Sequence, residues 1–315
     1  MLPDTIPMLS QINPGFIVIL AGLLVYSVRV PMLRAIITIG GPVIGIFLLA
    51  TQSKFGVETG VLRVLDLQLI TYHVDNLNFI FGLAFLIAAT INSIYSLHND
   101  DALQDACALV YGGAAISAAF AGDLMTVFFF WELTAISSVF LIWASRTERS
   151  FHAGMRYLII QVTSGVLLLC GVVLYLGETG SIAFTAMPFG TLASWFFLIA
   201  FGIKAAFPLL HNWVQDSYPE ATVTGTVILS AFTTKLAIYA LARAFQGVDL
   251  LIWIGAVMVI FPIVHATLEN DLRRTIAYSM NSQQGFMVIG IGIGTEMALN
   301  GVAAHATISI LYTCL

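Results

Sequence analysis

Glu132, Lys204 and Lys235 are ionisable residues set deep in apolar sequence. Glu132 is the one charge in FFFWELTAISSVFLIW, residues 128 to 143. A carboxylate or ammonium at the centre of a bilayer costs roughly 2.5 to 3.5 kcal/mol on insertion scales, so such groups face a protein interior or water and serve ion or proton movement. Phe128, Phe129, Ala135 and Ile136, one helical turn from Glu132, offer no counter-ion, so any partner must come from another helix. A lysine near a span end reaches the interface by extending its stem. Lys235 lies about 13 residues into its apolar run, too deep for that escape.

Lys204 sits in FFLIAFGIKAAFPLLHNWVQDSYPEA, four residues before Pro208. Proline has no N–H, so the carbonyl of Lys204 loses its helical partner and the helix breaks there. Backbone freed at membrane depth must be satisfied by water, side chains or neighbouring helices. Charge and helix break at one point are the pattern of an ion pathway. Burial disfavours the charged form of an acid or an amine, and an opposite charge nearby restores it. If Glu132 and Lys204 meet across helices, they titrate as a coupled pair and a proton leaving one alters the other. The competing reading is a static buried ion pair that holds helices together. His211, just beyond Pro208, is either a proton relay or an interfacial histidine. His265, preceded by Pro262, reads as structural, and Asp123 as the N-cap of the helix that carries Glu132.

Elements that position these residues follow from composition and periodicity. Of 315 residues, 59% are hydrophobic and 9% charged, against roughly 25% charged in soluble domains. The chain is therefore expected to be an all-α, polytopic membrane protein. Spans are expected near 14–28, 35–51, 76–97, 106–121, 124–144, 156–176, 191–217, 222–244, 250–268, 275–294 and 299–315, about eleven in all, the seventh discontinuous around Lys204 and Pro208. VLDLQLITYHV, 64 to 74, partly alternates with period two and predicts a short outer hairpin, with FGVETG as its turn-rich approach. Placing the N-terminus outside puts Arg29, Arg34, Arg146, Arg149, Arg156, Arg273 and Arg274 on inner connections and only Lys54, Arg63 and Arg243 on outer ones, as the positive-inside rule requires. RTERSFHAGMR, ending at Arg156, reads as an inner loop. The N-terminus lacks the charged start of a cleavable signal. Cys107, Cys170 and Cys314 are isolated and show no metal-ligand spacing. GIGIGT, 290 to 295, lies in an apolar span and predicts close helix packing, not a nucleotide site. No cofactor, metal or nucleic-acid site is expected.

Five motifs in order, AGDLMTVFFFWELTAISS, GIKAAFPLLHNWVQDSYPEA, TTKLAIYALAR, ENDLRRTIAYSMNSQQGFMVIGIG and AAHATISILY, resemble the antiporter-like membrane subunits. That family is shared by Mrp-type multisubunit cation/proton antiporters and the proton-pumping arm of respiratory NADH:quinone oxidoreductase, and the likeness runs from about residue 60 onward. It implies that Glu132 is the family carboxylate, Lys204 the paired lysine of the discontinuous helix, Lys235 the lysine handing protons inward, and His305 the first histidine of a central relay. Ser309 and Thr313 depart from the pattern, standing where the family carries a second histidine and a lysine. Family members have about fourteen spans in two inverted five-helix repeats. The resemblance therefore implies 1–105 as N-terminal helices with a hairpin near 61–74, 106–244 as a complete first repeat, and 245–315 as a second repeat only begun. Three functions follow as expectations: a D-type subunit of a monovalent cation (Na+)/proton antiporter; a proton-pumping subunit of a respiratory NADH:quinone oxidoreductase-type complex, without its own redox site; or a non-transporting scaffold. The expected partners are other subunits of such a complex, protons, Na+ and lipid, in a bacterial inner membrane.

Overall fold

A computed structural model describes residues 12–52, 55–64, 67–99 and 101–313. Lys54, Cys314 and the hairpin tip at 65–66 lie outside the described residues. Twelve α-helices follow one another among the described residues: α1 (Pro14–Ser27), α2 (Pro31–Gln52), α3 (Asn76–Tyr95), α4 (Ala102–Ala119), α5 (Leu124–Trp143), α6 (Glu148–Thr179), α7 (Leu192–Lys204), α8 (Asn212–Ser217), α9 (Val223–Ala244), α10 (Asp249–Leu268), α11 (Leu272–Ile293) and α12 (Glu296–Thr313). Six of them, α2, α3, α5, α6, α9 and α10, are long and apolar enough to cross a bilayer, and α1 and α7 are shorter apolar helices. With α7 and α8 as two pieces of one interrupted span, the order matches the eleven expected spans. The chain is a multi-pass membrane protein.

Several expected boundaries move by a few residues, and those of the hairpin and of α6 have an identifiable cause. Strands β1 (Glu58–Val64) and β2 (Leu67–His73) pair antiparallel, with Glu58 opposite His73 and Val64 opposite Leu67. The hairpin thus starts inside FGVETG, which was expected to approach it. The residues before Arg156 are helical, not a loop, because Thr147 and Ser150 form a reciprocal capping box that starts α6 at Glu148. Gly290 and Gly292 do let α11 close on Val302 of α12 and Ile252 of α10, whereas Gly294, at φ 68°, ends α11 in the left-handed conformation.

Buried polar groups tie the hairpin to the helices. Asn13 caps α1 and, wholly buried, donates to the Thr71 carbonyl of β2 (2.8 Å) and the Ser117 carbonyl of α4 (3.2 Å). Asp123 is the N-cap of α5, accepting from the Thr126 N–H (2.8 Å) and hydroxyl, and its second oxygen also accepts from the Ile70 N–H of β2 (2.7 Å). On the same side, Arg243 is no free loop cation: it donates to Asp75 (2.7 Å), Tyr239 (2.9 Å) and the Phe184 carbonyl (2.7 Å). Most of the other arginines collect on the opposite face. Arg146 and Arg34 pair with Asp101 and Asp105 at the start of α4, Arg156 with Asp216, and Arg273 donates to the Pro219 and Ala221 carbonyls.

Asp123→Ala removes a cap and strands the Ile70 N–H, so it is expected to cost about 2 to 4 kcal/mol and lower the melting temperature in detergent by several degrees. Asp123→Asn, which keeps an acceptor, should lose less. Equal melting for Asp123→Ala and the parent chain would refute the double role.

Candidate functional site

Helix α7 ends on Lys204 because the next carbonyl bonds cannot continue past Pro208. The chain turns through Ala206 (φ 60°) and Leu209 (φ 71°), both left-handed, and becomes helical again at Asn212. At the break the Ile203 carbonyl accepts from the Ala206 N–H (3.2 Å) and, from the side, from the Trp213 indole (2.8 Å).

The Lys204 ammonium is fully buried. It donates to the Trp131 carbonyl (2.6 Å) and the Thr134 hydroxyl (2.8 Å), and lies 4.3 Å from the centroid of the Trp131 ring. Both acceptors belong to α5, and a lysine over an indole face gains a further electrostatic contact. The Trp131 indole N–H donates to the Ser164 hydroxyl (3.0 Å), which in turn donates to the Ala200 carbonyl one turn before Lys204 (2.8 Å). A loop of hydrogen bonds thereby closes across α5, α6 and α7.

Glu132 is the neighbour of Trp131, yet it does not touch the amine. One residue along a helix turns a side chain by about 100°, which carries the carboxylate toward α6. Its Oε1 is buried, has no hydrogen-bond partner, and occupies the place where a Cβ on Gly165 would stand. Glu132 and Lys204 interact electrostatically without forming a contact ion pair. The two residues singled out from sequence are therefore neighbours in space, with the amine on neutral acceptors.

Lys235 lies in α9, the most enclosed helix, and donates to the Ser230 carbonyl (2.8 Å). His305 of α12 lies within electrostatic reach of Lys235 and bonds Gln283 of α11 at 3.0 Å. Ser309 is buried and the Thr313 carbonyl accepts from Ser230 (3.4 Å). His211 goes elsewhere: buried beside α8, its ring stands 5.1 Å from that of Phe261, which in turn lies tilted against His265 at 4.2 Å. His265 bonds the Phe261 carbonyl one turn back (3.0 Å), a structural placement.

A set of hydroxyls that sequence reasoning passed over joins α4, α5, α6 and α9. Ser138 of α5 bonds Tyr157 of α6 (2.8 Å), and Tyr111 of α4 bonds Thr233 of α9 (2.6 Å) and accepts from the Thr233 N–H (2.9 Å). Tyr157 and Tyr218 also lie within reach of Thr233. Asn281, Ser282 and Gln284 of α11 are buried as well. The run SMNSQQG held the signal for those last three, since consecutive amides inside an apolar span demand buried partners.

Residues 121–315 match the family model described as NADH:quinone oxidoreductase/Mrp antiporter, transmembrane. NADH-quinone oxidoreductase subunit N of Desulforudis audaxviator is 31% identical over 205 residues, 58% of this chain and 41% of the relative. The D-type subunit of the Na(+)/H(+) antiporter of Alkalihalophilus pseudofirmus is 28% identical over 208 residues, 60% of this chain and 42% of the relative. In both alignments the chain spans about two fifths of the curated relative. A chain in the membrane-bound sulfane sulfur reductase, an archaeal respiratory membrane complex, superposes with a TM-score of 0.84 at 22% identity, covering 96% of this chain and 54% of that one. The last likeness is one of fold.

Gly165→Ala is expected to push the Glu132 carboxylate from its seat and destabilise the protein by about 1 to 3 kcal/mol, the usual penalty of overpacking. Gly177→Ala, on the same helix with nothing within 4 Å, should melt at or slightly above the parent temperature, since alanine favours helix. Thermal unfolding of both variants in one detergent checks the contrast.

Proposed function

The chain belongs to the NADH:quinone oxidoreductase/Mrp antiporter transmembrane family, and from that premise we propose that it is a proton-translocating subunit of a multisubunit Na+/proton antiporter. The observation that carries this reading is the setting of Lys204. A static buried ion pair gains its stability from direct, well-satisfied contact. Here the ammonium rests on a carbonyl, a hydroxyl and an aromatic face while Glu132 stands near without contact. An amine so held exchanges its proton as the charge on the nearby carboxylate changes, and the pair titrates jointly.

Glu132 and Lys204 act as the coupled entry pair. Lys235 receives the proton within α9, and His305 with Gln283 carries it on toward α12. Pro208 opens the helix so that backbone acceptors and the amine share one hydrated interior, with His211 as a side member of the relay toward α10. Partner subunits supply the cation path, in a bacterial inner membrane with the N-terminus outside. The 31% identity to a subunit of NADH-quinone oxidoreductase favours a second reading, a proton-pumping subunit of such a complex. The same four residues would work there, with redox chemistry held by other subunits.

Vesicles containing the assembled complex decide the matter. Lys204→Ala and Glu132→Gln are expected to cut cation-driven acidification or alkalinisation by about 10²-fold or more, the scale of a lost acid–base group. Full transport by normally assembled variants would leave the scaffold reading. Acidification driven by NADH and quinone, and not by a Na+ gradient, would select the respiratory complex.

A further inference from the structure

An apolar slot of about 270 Å³ lies on the surface of the bundle, walled by Leu23 and Tyr26 of α1, Leu103 and Val110 of α4, and Ile136 and Phe140 of α5. Its back is the close approach of α1 to α4 at Gly22, where a Cβ would stand 2.9 Å from the Ala106 carbonyl. At the end away from the arginines, Phe16 of α1 meets Phe130 of α5 with ring centres 5.6 Å apart and closes the slot. Ser137 in the wall donates to the Leu133 carbonyl of its own helix (2.5 Å), so its hydroxyl adds no polarity. From Leu133 to Phe140 the slot runs about 10 Å along α5, a third of the roughly 30 Å of hydrocarbon in a bilayer. A partner helix would need a stripe over the whole span. A single hydrocarbon chain needs only a short, blind, apolar slot.

The open end of the slot is basic. Arg146, three residues beyond α5, keeps its side chain 78% exposed while donating to Asp101 at 3.0 Å, and a guanidinium has further donors to give. Arg29, three residues beyond Tyr26, is exposed as well. Arg34 is taken up by Asp105, and Glu148 and Arg149 line a separate cavity. Two arginines against one carboxylate leave an excess of one positive charge, which suits a monoanion. An acyl chain that leaves bulk lipid for the slot gains only packing, so selectivity must come from the headgroup, and basic pockets between transmembrane helices take anionic ones. We propose that the slot binds an anionic phospholipid of the phosphatidylglycerol class, one acyl chain lying between α1, α4 and α5 and the phosphate bridging Arg29 and Arg146 beside the Tyr26 hydroxyl. The site does not depend on what the Glu132 and Lys204 pair transports.

The assembled complex in phosphatidylcholine vesicles, doped with phosphatidylglycerol carrying a photoactivatable diazirine in one acyl chain, tests the site. Adducts are expected on residues 103–110 and 133–140, and fewer with the matching phosphatidylcholine probe. Below saturation, Arg146→Gln and Arg29→Gln should each cut the phosphatidylglycerol adducts about fivefold, the worth of one basic residue at an anionic headgroup. Asp101→Asn, which keeps a cap on α4 and removes the competing carboxylate, should hold or raise them. Ile136→Trp fills the slot and should remove these adducts for either probe, while labelling of α10 at its exposed Trp253 and Ile260 persists. Equal labelling by the two probes, unchanged in both arginine variants, means ordinary boundary lipid and overturns the site. Absence of adducts from either probe means that a partner subunit covers the slot, and equal loss in Asp101→Asn and Arg146→Gln means that their ion pair is structural; each overturns it too. Should Ile136→Trp fail to assemble, the two arginine variants, both altered at the surface, decide.

Discussion

A positive charge enclosed by apolar helices must be met by whatever acceptors lie within reach, and the ammonium of Lys204 imposes that demand on three helices at once. Its acceptors, the Trp131 carbonyl and the Thr134 hydroxyl, fix where α5 stands. The Trp131 indole then holds Ser164 of α6, and Ser164 holds the Ala200 carbonyl of α7. Sliding any one of these helices by a residue would break at least two of the links. The register of the site is thus set by satisfying one charge, and the carboxylate of Glu132, freed from that task, is left facing Gly165.

The two buried amines differ in kind. Lys204 stands at the open end of an interrupted helix, where backbone polarity is already exposed and side chains fill the gap. Lys235 is embedded in α9, whose residues are almost all enclosed, and it bonds the carbonyl of Ser230 in its own helix. The first belongs to a junction between elements and the second to the interior of one. Tyr111, Tyr157 and Tyr218, drawn from α4, α6 and the segment after α8, gather around Thr233 of α9.

Much of this was readable from the chain's spelling alone. Charges in long apolar runs announce themselves, and so Glu132, Lys204 and Lys235 stood out, as did the break at Pro208 and the cap at Asp123. Neutral polar residues do not announce themselves, for a physical reason: a serine or threonine in a helix can satisfy its hydroxyl on the carbonyl one turn back. Thr38, Thr51 and Thr90 do just that, and nothing in their spelling separates them from Thr134, which takes the lysine. Tyr157 stayed hidden for the related reason that the buried face of α6 is defined by neighbours distant in sequence. The hairpin and the start of α6 were misplaced where capping and pairing partners, not hydrophobic period, set the limits.

The interruption between Lys204 and Asn212 also changes how force can travel. A continuous helix transmits a push along its axis because each turn is bonded to the next; here that ladder stops, and the indole of Trp213 on the Ile203 carbonyl is a lateral strut joining the two pieces. The half bearing the amine and the half nearer the arginines are therefore mechanically separable, so a small tilt of one need not drag the other through the membrane.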